Sequence, residues 1–191
     1  MSDKVRLDAE ILPPMPVVLA GAVVEGRVNF MAAAWVTRVG HKPPMIGVSI
    51  NHRQHTGKGI RENGAFSLCL PGPDLVELTD YCGLVSGRNV DKSALFDVFY
   101  GDTPHAPMIR QCPLCLEMTL VQAVELPHHT FFIGEIKAGW ADGEILTDGR
   151  PDVEKYKPLL LTMPDNRYWT LGDHVADAWS AGKKRKKGEA Q

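Results

Sequence analysis

The sequence predicts a mainly β fold, an antiparallel, Greek-key-like barrel carrying a few short helices. Three observations lead there. About six apolar runs of strand length follow one another, most of them bounded by Gly, Pro or Asn turn signals. The helical patterns between them are short and do not alternate with the strands as a parallel α/β sheet requires. No Gly-x-Gly-x-x-Gly is present, so nothing marks a dinucleotide-binding parallel sheet.

The 191 residues suffice for one domain with a sizeable core. Residues 1–12 are expected to be a leader, 13–180 the folded domain and 181–191 a basic tail. Pro13, Pro14 and Pro16 hold an extended entry, and Val17–Val24 is almost wholly apolar, as a strand buried on both faces would be. Glu25-Gly26 is a turn. Val28–Val39 reads as a strand or an irregular strand-like segment, since Gly26 precedes it and Gly40 with Pro43-Pro44 follows. Ile46, Val48 and Ile50 alternate as a strand, and Thr56 to Gly64 has the N-cap and stop signals of a short helix. Ala65–Leu70 is a strand closed by Pro71-Gly72-Pro73. Asp74 is placed to cap a helix through Cys82 with Leu75, Leu78 and Tyr81 on its apolar side. A short helix is expected over Ser93–Tyr100 and a loop over Gly101–Pro113. Leu114–Leu126 and Thr130–Trp140 read as a long antiparallel pair broken by Pro127-His128-His129. Leu159–Met163 is a further apolar run, and Asp173–Ala181 is expected to be a final helix.

A net charge of -2 argues against a nucleic-acid binder. No apolar run approaches the ~20 residues of a membrane span, and the charged N-terminus lacks a signal-peptide core, so a cytoplasmic location is expected. There the four cysteines, Cys69, Cys82, Cys112 and Cys115, should be thiols. Cys112-Pro113-Leu114-Cys115 has dithiol spacing but precedes a strand rather than a helix, which favours structural thiols, and no second close pair supports a metal site.

The helix starting near Thr56 offers chemistry. Free N–H groups at a helix start attract an anion, and Arg53, His55 and Thr56 crowd that end. Together they suggest a phosphate seat, against the plainer reading of a capped surface helix. Ser86-Gly87-Arg88 is a turn with a hydroxyl and a cation, and Lys92 adds a second cation. Ala32, Ala33 and Ala34 would let a flat group approach the backbone, beside the Asn29 amide and the Trp35 face.

Four segments, read together, resemble the flavin reductase-like, FMN-binding split-barrel family. They are Asn29–Trp35; Pro43–Ile50 running into Arg53 and Thr56; Cys82-Gly83-x-x-Ser86-Gly87-Arg88-x-x-Asp91-Lys92; and His129-Thr130-Phe131-Phe132-Ile133-Gly134-Glu135-Ile136. Tyr168-x-x-Leu171-Gly172 also fits, and Ala32 departs from the Thr of many relatives. The resemblance implies a homodimer with one FMN per subunit near the interface. It implies that Arg53, His55, Thr56 and Lys92 hold the phosphate. Asn29, Phe30, Met31, Ala32, Ala33 and Trp35, with Ser49 and Ile50, would line the ring and ribityl chain, and Ser86 and Gly87 would close over the other side. His129 and Tyr168 would come from the partner subunit.

The Trp35 and Lys92 positions are most similar to electron-carrier members, so electron transfer between redox partners is expected. The alternatives are an NAD(P)H-dependent flavin reductase and a non-redox FMN-binding dimer.

Overall fold

The computed structural model describes residues 3–7, 11–183 and 185. Its main feature is one antiparallel sheet of β1 (Val18–Val24), β2 (Arg27–Ala33), β3 (Val36–Gly40), β4 (Met45–Asn51), β5 (Ala65–Leu70), β6 (Leu114–Glu125) and β7 (His129–Ala141). The strand order is β2-β1-β5-β6-β7-β4-β3. The two edges, β2 and β3, are consecutive in the chain and joined by Ala34 and Trp35 alone. Three Cα steps reach at most ~11 Å, whereas opposite edges of a flat seven-stranded sheet would stand roughly 29 Å apart. The sheet must therefore curl until its edges meet, which makes the expected antiparallel barrel, split along the β2/β3 seam.

Local sequence explains most of the elements. Glu25 and Gly26 both take positive φ, 50° and 76°, the two-residue turn that suits a right-twisted hairpin, and Val24 pairs with Arg27 across it. β1 is apolar throughout because it is buried on both faces. Val18, Ala20 and Ala22 enter the barrel core with Met31, Val48, Phe66, Met118 and Phe132. Leu19 points outward into a second apolar cluster with Phe30, Cys69, Met108 and Ile109. Two helices frame these layers, α1 (Thr56–Asn63) against β1 and α2 (Val76–Leu84) against β2. Gly64 ends α1 in the left-handed region, φ 62°, with its N–H on the Ile60 carbonyl, as expected of a glycine stop. A small sheet of Met15–Pro16, Leu160–Thr162 and Arg167–Trp169 ties the entry of the domain to its end.

Five expectations are corrected. Val28–Val39 is two strands, because the chain crosses the seam at Ala34-Trp35. Thr56 is the first residue of α1 rather than its cap. His55 precedes it with helical φ and ψ, and no side chain caps the N-terminus. Asp74 lies in a 3-10 turn, Pro73–Leu75, and makes no capping bond; α2 starts at Val76, and Tyr81 on it is exposed. Ser93–Tyr100 is a 3-10 turn, Ser93–Leu95, followed by a strand, Val98–Phe99, that pairs with Met108–Ile109. Asp173–Ala181 is not helical: Val175 and Trp179 are 96% and 94% exposed, and a stretch this short needs a packed face to hold a helix. Of the basic block, only Lys183 and Arg185 lie within the described residues, and both are exposed.

α1 approaches β1 more closely than a side chain permits. A Cβ at Gly59 would collide with the Val23 carbonyl, and backbone cannot swing aside as a side chain can. Gly59→Ala is expected to destabilise the fold by about 1–3 kcal/mol in urea unfolding. Unchanged stability would show that α1 can slide on the sheet.

Candidate functional site

The site forms where β2, the start of α1 and the turn after α2 meet. Asn29 is on the inward face of β2 and only 4% exposed. Its Nδ2 donates to Thr56 Oγ1 at 2.7 Å, which clamps the edge strand to the first turn of α1. This bond uses the Thr56 hydroxyl, so Thr56 serves the contact between elements instead of capping its own helix.

The clamp is incomplete. Asn29 Oδ1 and His55 Nδ1 are both buried and have no hydrogen-bond partner among the described residues. Gly87 closes over them so tightly that a Cβ there would collide with Asn29 Oδ1. The neighbouring Arg88 raises the local positive potential. The His55 pKa lies below its ordinary value, first because burial disfavours the imidazolium and next because Arg88 repels it. His55 is therefore a neutral ring at neutral pH, able to donate from one nitrogen and accept at the other.

Beside this seat runs a cleft of about 350 Å³, lined by Gln54, Gly57, Lys58, Arg61, Arg88, Glu125, Thr130 and Phe132 among others. This is the size range of small-molecule sites. Its cations differ in freedom. Arg61 is fixed by Glu125, by Thr130 Oγ1 at 2.8 Å and by the Phe132 ring 5.2 Å from its Cζ. Lys58 pairs with Glu25 and Glu62. Arg88 makes no ion pair among the described residues. An anion would meet Arg88 first, with the N-terminal amides of α1 behind it.

Trp35 and His129 flank the same end of the barrel. Their rings lie 4.7 Å apart at 39°, and Trp35 is 43% exposed. Ser49 N donates to the Trp35 carbonyl at 2.9 Å, and His129 pairs with Asn51, a cleft residue, across β7 and β4. Ile50 lines the cleft but is 1% exposed, so it offers a wall and no polar contact.

The structure thus brings together Asn29, His55, Thr56 and Gly87, with Ser86 accepting from Arg88 N in the same turn. It separates others. Phe30 points out of the barrel and meets Phe96 edge-on at 5.5 Å, while Met31 and Ala33 fill the barrel core. Strand alternation buries all three, so β2 can offer a ligand its unpaired edge backbone but not those side chains. Ala32 lies against α2 at Gly83. Arg53 is exposed and does not line the cleft; among the described residues only its N–H is held, by Asn51 Oδ1. Lys92 is 2% exposed and donates to the Cys82 carbonyl at 2.8 Å, and burial lowers its pKa. Tyr168 donates to Asp80 of its own chain at 2.9 Å; burial and that carboxylate push its pKa up to about 12.

Sequence reasoning named Arg88 as the cation of a turn but not as a cleft residue, and it passed over Lys58 and Arg61. A signal existed for the last two, which stand three apart and so share a helix face. Arg88 was visible only as part of a turn whose neighbour in space could not be read.

The Flavin reductase like domain family matches residues 13–168. Among solved structures, the chain resembles flavoredoxin from Methanosarcina acetivorans, with 49% identity and a TM-score of 0.94 over 96% of this chain and 100% of that one. It also resembles flavoredoxin of Desulfovibrio vulgaris (Miyazaki F), at 34% identity and TM-score 0.87 over 96% and 100%. An FMN-binding protein from Thermus thermophilus superposes at 27% identity and TM-score 0.78, over 93% and 98%. An uncharacterized protein of Aeropyrum pernix is 32% identical over 81% of this chain. The chain spans 59% of that relative's length.

The depressed His55 pKa has a consequence for stability. Above about pH 6.5 the ring is neutral both folded and unfolded, and the native state keeps its full stability. As pH falls below that value the unfolded chain takes up the proton first, so stability declines until the folded pKa is passed. His55→Gln is expected to flatten this part of the curve in urea titrations between about pH 5 and 8. Equal slopes in the two proteins would refute a buried neutral His55.

Proposed function

Because the chain belongs to the flavin reductase-like, FMN-binding family, we propose that it holds FMN at the Asn29–His55–Thr56 seat and passes electrons between redox partners, as a flavoredoxin-like carrier. The observation that carries this is the pair of buried, unpartnered polar atoms, Asn29 Oδ1 and His55 Nδ1, beside a cationic cleft. Each such atom costs about 1–3 kcal/mol while unpaired. A ligand that carries hydroxyl donors and acceptors together with an anionic phosphate meets both needs, which fits a ribityl phosphate.

Bound FMN supplies the electron-accepting and electron-donating chemistry. The protein's own residues do the rest. Arg88, the α1 amides and the Thr56 region hold negative charge. Neutral His55 and Asn29 fix orientation by donating and accepting hydrogen bonds. The edge backbone of β2 offers N–H and C=O groups to a planar polar rim, which suits the run Ala32-Ala33-Ala34. Trp35, held against His129, is the aromatic face placed to exclude water. Lys92 places a buried amine behind β2, held on the Cys82 carbonyl. The carrier reading over the reductase reading is supported by the likeness to two flavoredoxins at 49% and 34% identity.

A homodimer belongs to this reading. Trp35, Leu126, Trp169 and Trp179 are 43%, 46%, 48% and 94% exposed, and a second copy would cover apolar surface of this kind. His129 and Tyr168 would then serve the seat of the neighbouring subunit. The electron source is a redox protein or NAD(P)H.

A visible spectrum of the purified protein, reconstituted with FMN and titrated anaerobically, tests the proposal. Flavin bands that persist with NADH and NADPH but bleach with dithionite are expected. Rapid bleaching by a nicotinamide would establish the reductase instead, and absence of flavin bands would exclude FMN binding. Bands that dithionite bleaches but no redox protein can feed would mark a non-redox FMN-binding dimer. Among single variants, Arg88→Ala is expected to weaken FMN binding about tenfold or more, and Arg53→Ala far less. The reverse ranking in a fluorescence titration would move the phosphate to the Arg53 side of the loop.

A further inference from the structure

The flavin seat uses one end of the cleft beside it, and the rest of the cleft has its own arrangement of groups. FMN finishes at its phosphate. With that phosphate at the α1 amides and Arg88, the seat leaves Lys58, Arg61 and Glu125 without a ligand group to meet, although all three line the same cleft of about 350 Å³. Lys58 and Arg61 stand three apart on α1, so they share one face of the helix and carry positive charge along the cleft from the helix start. Glu25 and Glu62 pair with Lys58, whose side chain is still 51% exposed.

Arg61 is built differently from a free surface cation. Its Cζ lies 5.2 Å from the centre of the Phe132 ring, and its Nη2 donates to Thr130 Oγ1 at 2.8 Å and pairs with Glu125. Thr130 Oγ1 in turn donates to Glu125 Oε2 at 3.1 Å, and His52 Nε2 stands 3.4 Å from the same oxygen. Phe132 itself is 1% exposed, so Arg61 forms the surface of this wall, and its side chain remains 45% exposed. A planar cation held on its inner side and open on its outer side is a stacking platform for a purine. Glu125 stands at the same place. A carboxylate there repels a further phosphate, and its acceptor sites outnumber the Arg61 and Thr130 donors. It suits a ribose hydroxyl or a purine amino group, and it does not suit a polyanion.

Resting on the flavin reading, we propose that this end of the cleft binds the adenylate half of FAD, so that the protein accepts FAD as well as FMN. Arg88 lines the cleft and is next in the chain to Gly87 of the seat, so it meets the pyrophosphate where the two halves join. Lys58 takes the second phosphate. The adenine stacks on Arg61, and its ribose donates to Glu125, with the Gln54 amide beside it.

The test is calorimetric titration of the full-length protein, stripped of flavin, with FMN and with FAD. The wild-type protein is expected to bind FAD at least as tightly as FMN. Arg61→Ala removes the platform, and Arg61→Lys keeps the charge but loses the planar face; each is expected to move the ratio of the two dissociation constants about tenfold against FAD. A wild-type Kd for FAD tenfold or more above that for FMN overturns the proposal without recourse to any variant and leaves the FMN seat standing. A ratio unchanged in either Arg61 variant also overturns it. So does tight binding of ADP-ribose to the FMN-loaded protein when FAD binds more weakly than FMN, since the adenylate then belongs to a separate molecule. Binding of neither flavin removes the FMN seat and this subsite with it.

Discussion

Two residues, Ala34 and Trp35, tie together the opposite edges of a seven-stranded sheet, and this short tether shapes the rest of the molecule. It forces the sheet to close on itself, so the inner face becomes a narrow core. β1 answers with small residues, placing Ala20 and Ala22 beside Val18 in the core with Phe66 and Phe132. The tether also leaves β2 and β3 with one unpaired side each. Exposed strand edges invite association with other chains. Here the Asn29–Thr56 bond ties the β2 edge to the start of α1, beside the Gly87 turn.

Outside the barrel, buried charge is handled in two ways. Glu117 is fully buried on β6. Desolvation pushes its pKa up, but donation from Trp140 Nε1 and from the N–H groups of Asp102 and Thr103 outweighs this and holds it below the ordinary value. That carboxylate anchors the loop leading into the Met108–Ile109 strand. Lys92 is nearly as buried but has one carbonyl partner, that of Cys82, and its ammonium is correspondingly less favoured. A fully satisfied charge rigidifies its surroundings, whereas a partly satisfied one is available to respond to a neighbour.

The candidate flavin seat is a piece of protein interior that is unfinished by its own sequence. Asn29, His55 and Thr56 are each at most 8% exposed, yet two of their polar atoms lack partners among the described residues. The free protein bears that cost, and a ligand that pairs these atoms recovers it as binding energy. Any such ligand also stabilises the native state by mass action. The preformed cleft beside the seat, with Arg61 already fixed by Glu125, Thr130 and Phe132, means little side-chain ordering remains to be done on binding.

The sequence alone determined the class of fold and most strand positions, because period-two patterning and turn chemistry are local. Ala65–Leu70 needed no correction, and the long pair Leu114–Leu126 and Thr130–Trp140 shifted by a single residue at some ends. It also singled out Asn29, His55, Thr56 and Gly87 through a resemblance, and the structure brings these four together. Only the tertiary structure decided how Val28–Val39 divides at the seam, and which face of β2 each residue takes; that division sends Phe30, Met31 and Ala33 into apolar cores. It also decided that Arg88, and not Arg53, lies at the cleft, and that Cys69 joins Cys112 and Cys115. These are contacts between residues far apart in sequence. They are fixed by how a closed sheet brings its edges, helices and loops together, and no local pattern of residues encodes that approach.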